Sequence, residues 1–261
     1  MAPRARSVVM DVYGDYLADA GYRAPLAPLI RLLEEFGVEP ATSRVTLSRM
    51  KRDGWFETER AGRETVYRVT DAYASVLAEG RARIFGRPDE PWDGVWTQAV
   101  YQVPESARAA RETLRKQLQW LGFGQFAPSI WFSPHPPGPA LERLAAEFPD
   151  ATVDVLRSST DDDRGLAERC WDLAELARDY RHLLDRCHEV AADPGPDGPA
   201  ALVVRTELTA EVRRLVFRDP LLPPSLQPED WPGGTAFEAF VALHDRLGPA
   251  AEEHVRSILD V

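Results

Sequence analysis

The chain has 261 residues and a net charge of −11 at neutral pH, which is too long for one compact unit and long enough to bury real cores. No stretch approaches the roughly 20 apolar residues of a membrane span, and the opening MAPRARSVVMDVYGDY holds no apolar run that would serve as a secretory signal. Two cysteines, Cys170 and Cys187, are too few for a disulfide framework and favour a reducing cytoplasm.

Helical spacing is first met from Ser7 to Ala20, where Val8, Val9, Val12, Tyr16 and Leu17 form an apolar stripe, Ser7 can cap the start and Gly21 ends it. Pro25 opens the next element. Leu26, Leu29, Ile30, Leu33 and Phe36 then recur on one face, and Gly37 closes that helix, since glycine accepts the left-handed conformation a tight turn needs. A second helix is expected from about Glu39 to Asp53, with Pro40 in its first turn, where a missing N–H costs little. Ser43, Thr46, Leu47 and Met50 fall on one side of it; Arg44, Val45, Ser48, Arg49 and Arg52 fall largely on the other.

After Gly54 the alternation of Phe56, Thr58, Thr65, Tyr67 and Val69 with polar residues is strand periodicity, and Arg60-Ala61-Gly62-Arg63 is a hairpin turn with cations on both shoulders. Helix, turn, helix and hairpin in this order is the layout of a winged helix-turn-helix. Such a helix reaches base edges in the major groove while the hairpin tip touches phosphates or the minor groove. Through Pro88 there are 14 Lys and Arg against 12 Asp and Glu, a net of +2, and the remainder carries 17 against 30, a net of −13. The acidity therefore lies outside this module. From Ala41 to Val69 seven basic residues face four acidic ones, a modest footprint that calls for a dimer spanning two half-sites.

Thr70-Asp71 is a capping signal for a helix from Ala72 to about Phe85, and Gly86–Gly94 (GRPDEPWDG) is a linker that marks the first boundary. The middle of the chain alternates. A strand is expected at Trp96–Val103, a helix at Ser106–Leu121, a turn at Gly122-Phe123-Gly124 and extended chain at Phe126–Phe132, interrupted by Pro128. A short helix at Pro139–Phe148 and a strand at Thr152–Arg157 close the segment. That order predicts a small ferredoxin-like α+β sandwich whose edge strands near FAPSIWFSP suit dimerisation. From Thr160 the character turns helical. One long helix is expected over Leu166–Val190, a non-helical loop over Ala192–Ala200, and a helix over Ala201–Phe217. The proline-dense loop RDPLLPPSLQPEDWPG follows, with Leu221, Leu222, Leu226 and Trp231 wanting burial, and then helices over Thr235–Leu247 and Pro249–Leu259. The expected divisions are residues 1–87, 88–160 and 161–261.

The blocks RLLEEFG, TLSRMKRDGW and YRVT, then the tryptophan, VP, LGFG and IWFSP landmarks of the middle, CWDL, and FRDPLLPPSLQPEDWPG together resemble the phenylacetic-acid repressor family, the PaaX-like regulators. The resemblance covers nearly the whole chain in order, and the proline-rich block and CWDL are its most specific parts. It implies an α+β multidomain repressor with an N-terminal winged helix-turn-helix, a ferredoxin-like central domain similar to small CRISPR-associated nucleases, and a helical C-terminal domain. It further implies a homodimer on the double-stranded operators of aromatic-catabolic genes, released by an aryl-CoA thioester such as phenylacetyl-CoA. By position the DNA contacts are Arg44, Thr46, Ser48, Arg49 and Arg52 of the recognition helix and Arg60 and Arg63 of the wing, because arginine bonds guanine bidentately or clamps phosphate. A thioester effector wants arginines, aromatic stacking and an apolar slot. Trp131, Trp171, Tyr180, Arg181, His182 and Trp231 are the candidates by type, on a site formed by the C-terminal helices and the central domain.

Enzyme chemistry is not assembled. His135, His182, His188, His244 and His254 show neither HExxH nor paired Cys/His spacing, GFGQF is too short for a nucleotide loop, Asp161-Asp162-Asp163 reads as a solvated loop, and Cys170 and Cys187 read as packing residues. The nucleases that the sandwich resembles carry a metal-binding aspartate at the end of their first strand. Here that end is Val100-Tyr101-Gln102-Val103-Pro104, and an amide is a poor ligand for a hard cation. A metal-dependent nuclease and a winged-helix protein adaptor are the alternatives, and no metal site or resident cofactor is expected.

Overall fold

The computed structural model describes residues 2–87, 91–139, 141, 143–144, 148, 151–192 and 195–259. They divide into two units, one of Met1–Gly86, Leu183–Arg213 and Thr235–Val261, the other of Arg87–His182 and Arg214–Gly234.

In the first unit α1 (Ala2–Tyr16) starts ahead of the expected Ser7, so Ser7 lies inside the helix and its hydroxyl accepts from Arg213 Nη2 at 2.7 Å instead of capping. Helix α2 (Leu26–Glu34) buries Leu29, Ile30, Leu32 and Leu33. Its exit is a Schellman turn: Gly37 N–H bonds the Glu34 carbonyl and Val38 N–H the Leu33 carbonyl, with Gly37 at φ 69°, where a side chain would be strained. Helix α3 (Pro40–Arg52) starts on Pro40 without a side-chain cap and leaves through Gly54 at φ 83° by the same pair of bonds, Gly54 to Lys51 and Trp55 to Met50.

Strands β1 (Arg23–Pro25), β2 (Phe56–Ala61) and β3 (Glu64–Val69) form an antiparallel sheet in the order β1-β3-β2. Ala61 pairs with Glu64, so the hairpin turn narrows to Gly62-Arg63. Helix α4 (Asp71–Phe85) follows. The Thr70 hydroxyl does not cap it, because it donates to the Gly54 carbonyl at 2.9 Å and ties the turn after α3 to the end of the sheet.

Unit 2 is built on a four-stranded sheet of β4 (Trp96–Gln102), β5 (Gly124–Ala127), β6 (Ile130–Ser133) and β7 (Thr152–Ser158). The order is β5-β6-β4-β7 and every pairing is antiparallel, the arrangement of a split β-α-β sandwich. Period-two alternation sorts the side chains. Ala99, Tyr101 and Trp131 face a core with Leu114 and Leu118 of α5 (Arg108–Trp120). Trp96 and Phe132 face the opposite core, with Leu166 and Ala167 of α6 (Asp163–Cys170) and with Leu222 and Leu226 of the proline-dense loop. Ahead of α5, Glu105–Ala107 is a 3-10 turn. Most of the short helix expected at Pro139–Phe148 lies outside the described residues.

Three further helix boundaries differ from expectation. The long helix over Leu166–Val190 is two helices, α6 and α7 (Leu173–Ala192). Between them Trp171 is extended, at φ −134° and ψ 146°, and the Asp172 carboxylate accepts from Glu175 N–H at 2.8 Å to start α7. The Trp171 ring is held by tertiary packing, with the Trp96 ring at 6.2 Å. After α8 (Gly198–Val216), whose start overlaps the loop expected to end at Ala200, α9 (Gly233–Leu259) runs straight through Pro249. Its buried stripe of Phe240, Leu243, Leu247, Ala251 and Val255 continues on both sides of the proline, and that packing outweighs the one lost hydrogen bond.

The N-terminal helices and the C-terminal ones share the core of unit 1. Asp11 pairs with Arg213, Tyr16 meets the Thr206 hydroxyl at 3.3 Å, and Glu35 meets His254 at 3.3 Å. Phe85 stacks on Phe240 at 5.7 Å, with the His244 ring against both. Burial pushes the Asp11 carboxyl up to about 7 against the pull of Arg213.

Candidate nucleic-acid interface and ligand cavities

Helix α3 is amphipathic in the sense its residues dictate. Ser43, Thr46, Leu47 and Met50 are buried, while Arg44, Val45, Ser48, Arg49, Lys51 and Arg52 are exposed. Thr46, expected among the DNA contacts, is 8% exposed on the core side and does not join the outward set, because its position in the 3.6-residue repeat aligns it with Met50. Val45 stands 52% exposed between the arginines. Lys51 reaches across to the Thr58 hydroxyl at 2.7 Å and fixes α3 to β2.

The hairpin tip carries Arg60 and Arg63, both exposed, and Arg60 Nη1 donates to the Arg63 carbonyl across the turn at 3.4 Å. Three acids of the module are drawn away from these cations. Glu57 pairs with Arg68, Glu59 with Arg23 and Asp53 with Arg6 at 3.6 Å. Among the described residues no carboxylate pairs with Arg44, Arg49, Arg52, Arg60 or Arg63. Three of the cations of α3, Arg49, Lys51 and Arg52, sit in its last turn, where the helix dipole also favours them.

The six residues expected to hold an effector do not converge. Trp131 is fully buried in the core under α5. Trp171 and Arg181 line an open groove of about 840 Å³ together with Arg169, Arg178, Glu229 and Asp230. Trp231 lines a second cavity of about 820 Å³. Tyr180 is buried behind it, edge-on to Trp231 at 5.8 Å and donating to Asp219 at 2.5 Å; burial raises its pKa further than the carboxylate beside it does. His182 is exposed and lines neither.

The second cavity also holds Arg87, Trp92, His135 and Arg157, which sequence reasoning passed over. Trp92 sat in what read as a linker and Arg157 at the end of a strand. The one available signal was an aromatic residue inside a Pro/Gly/Asp-rich segment, where a solvated linker has no use for one.

Gln102 ends β4 exposed and opposite Thr152, and among the described residues no group of three His, Cys, Asp or Glu is placed to hold a metal ion. Burial pushes the Cys170 thiol up to about 12 and Cys187 up to about 11, so neither supplies a thiolate nucleophile near neutral pH. No helix of the described residues is long and apolar enough to cross a membrane.

Residues 4–73 match the family described as PaaX-like protein, residues 89–169 the PaaX protein central Cas2-like domain, and residues 171–257 the PaaX-like protein C-terminal domain. The transcriptional repressor PaaX of Escherichia coli (strain K12) is 29% identical over 259 residues, a match covering 94% of this chain and 81% of that one. Among solved structures, the uncharacterized protein Rv0674 from Mycobacterium tuberculosis superimposes with a TM-score of 0.67 at 26% identity, covering 96% of this chain and 98% of that one. With three family matches in sequence order that together span most of the chain, and a relative matched over 94% of it, this chain belongs to the PaaX-like family.

Proposed function

We propose that the protein is a DNA-binding transcriptional regulator. Its N-terminal elements act as a winged helix-turn-helix, α3 reading the major groove and the β2–β3 tip serving as the wing. The observation that carries this reading is the sorting of charge on the module: Asp53, Glu57 and Glu59 are paired with Arg6, Arg68 and Arg23, while Arg44, Arg49, Arg52, Arg60 and Arg63 stand exposed without carboxylate partners among the described residues. Exposed guanidiniums on one helix and one hairpin tip are the groups with which such modules contact base edges and phosphates. Ser48 adds a short donor on the same face, and Val45 suits a thymine methyl. The Escherichia coli relative is a transcriptional repressor, which supports repression as the direction of control.

The protein acts in the cytoplasm as a homodimer, because a net charge of −11 weakens a single module and two half-sites add their contacts. It represses genes of aromatic-acid breakdown and is released by an aryl-CoA thioester. Residues 1–87 carry the DNA contacts, 88–160 the dimer scaffold and 161–261 the helical part of the effector response. Release is a population shift: the effector favours a dimer geometry whose recognition helices miss the half-site spacing, and its preference for that geometry must amount to several kcal/mol.

A gel shift on the promoter upstream of the protein's own gene cluster, at low and physiological salt and with a panel of acyl-CoA thioesters, tests both levels. Salt-dependent retardation that one thioester relieves is expected. Indifference to every duplex at low ionic strength would remove the reading, and retardation that no thioester relieves would remove only its effector half.

A further inference from the structure

The outward side of α3 is not uniformly cationic. Its buried set, Ser43, Thr46, Leu47 and Met50, fixes the opposite side. At about 3.6 residues per turn, Ala41, Val45, Ser48 and Arg52 then fall along the middle of the outward face, with Arg44 to one side of that row and Arg49 to the other. All six are exposed. The first three of the row are short, and the arginines beside them are long. A helix of this shape can lay the low strip against base edges while the guanidiniums reach guanine or phosphate on either side.

Val45 is the residue that needs a cause. At 52% it is the most exposed large hydrophobic side chain among the described residues. Neither the helix nor the core asks for it: a β-branched residue is a poorer helix former than alanine, and here its side chain buries little. A single apolar residue on a surface is ordinary. Val45 differs because Ala41 precedes it by one turn on the same row, and because the arginines beside the pair have no carboxylate partners among the described residues. The apolar strip is therefore bordered by charge complementary to phosphate.

That combination suits one partner. In the major groove the apolar feature of a base pair is the C5 methyl of thymine, and small or branched aliphatic side chains are the groups that meet it. The N-terminal residues of a recognition helix are the ones that contact base edges, and Ala41 and Val45 both lie in the first half of α3. As an i,i+4 pair their Cβ atoms stand about 5–6 Å apart, within reach of methyls on adjacent base pairs, which rise by about 3.4 Å.

We propose that Ala41 and Val45 read the 5-methyl groups of neighbouring thymines, so that each operator half-site places a thymine step under the start of α3. Ser48, next on the row, bonds the base edge that follows. The inference rests on the DNA-binding reading above and names the base-pair chemistry that reading selects.

Deoxyuridine tests it directly, since replacing thymine by uracil removes the methyl and keeps every hydrogen-bonding group of the base pair. Retardation of the promoter upstream of the protein's own gene cluster is measured with the full-length chain, one thymine at a time replaced by deoxyuridine. At one or two positions per half-site the dissociation constant should rise three- to fivefold, on the order of one methyl withdrawn from contact, while other positions stay within about twofold. Val45→Ser should bind the thymine duplex more weakly by a similar factor, lose the uracil effect at its position, and melt as wild type because the side chain is exposed. Val76→Ser, an exposed valine of α4, should keep the full uracil effect. The proposal is overturned if every uracil duplex binds within threefold of its parent, if Val45→Ser retains the whole penalty at every sensitive position, or if Val76→Ser abolishes it equally. Firm retardation of the parent duplex without a uracil effect removes the methyl readout alone, whereas indifference to the parent duplex removes the DNA-binding reading with it.

Discussion

Arg49 stands exposed in the last turn of α3, with no acid partner among the described residues. Its neighbour Met50 is 1% exposed and holds the helix to the core. That contrast over one residue explains why truncating Arg49 should change recognition without changing the fold. For Arg49→Ala we expect operator affinity to fall by about 1–3 kcal/mol, with relaxed preference at one base position and unchanged thermal stability. A filter-binding series over single-base operator variants measures this, and a uniform loss across all sequences would make Arg49 a phosphate contact instead. At this scale the sequence was informative wherever periodicity governs. It separated the outward arginines from Leu47 and Met50. It also set Thr46 on the side of Leu47 and Met50, where Thr46 is buried, against its inclusion by position among the DNA contacts. What it could not anticipate is that Trp131 faces α5 while Trp231 faces a cavity, since residue type alone does not say which side of a sheet or loop a tryptophan will bury.

Among elements, the join of β5 to α6 is the tightest. Gly124 begins β5 directly beneath the α6–α7 break, and a Cβ on it would stand 2.4 Å from the Trp171 ring and 2.7 Å from Cys170 Cβ. Cys170 Cβ is fixed to the backbone of α6 and the Trp171 ring lies against Trp96, so neither gives way cheaply. Gly124→Ala should therefore destabilise unit 2 by about 1–3 kcal/mol through overpacking, visible as a lowered melting temperature. An unchanged melting temperature would mean that Trp171 is free to swing aside and the break in the helix is not held by this contact. The sequence read α6 and α7 as one helix because Leu166, Leu173, Leu176 and Tyr180 keep helical spacing across the gap. What interrupts it is Trp171, drawn into extended geometry by a partner 47 positions earlier in the chain, a contact no local pattern encodes. The reverse occurs at Pro249, where a local breaker is overridden by a continuous buried stripe.

At the scale of the whole molecule, the C-terminal helices divide their residues between the two units, and the N-terminal module shares its core with them through a buried polar seam. His244 is 3% exposed within that seam, with Phe85 and Phe240 against its ring. Burial, with Arg205 and Arg81 adding repulsion and Asp245 opposing, pushes it down to about 4. A group whose folded pKa is depressed binds more protons unfolded, so its stability is fully present above about 6.5 and is lost as pH falls toward 4, by at most about 3 kcal/mol. Asp11, raised to about 7, acts in the opposite sense, its contribution shrinking as pH rises from the normal carboxylate range through 7. Comparing wild type with His244→Phe cancels Asp11 and isolates the ring. The variant should melt near wild type at pH 7.5 and above it at pH 5, whereas parallel curves would show that His244 charges freely in the folded chain. By itself the sequence determined the helix, turn, helix and hairpin of the N-terminal part, the outward cations of α3 and the strand and helix order of the middle, because all of these follow from local periodicity and turn chemistry. Only the tertiary structure decided which elements share a core, where α6 breaks and α9 does not, and that Trp92, Arg157 and Trp231 line one cavity, because each depends on contacts between residues far apart in the chain.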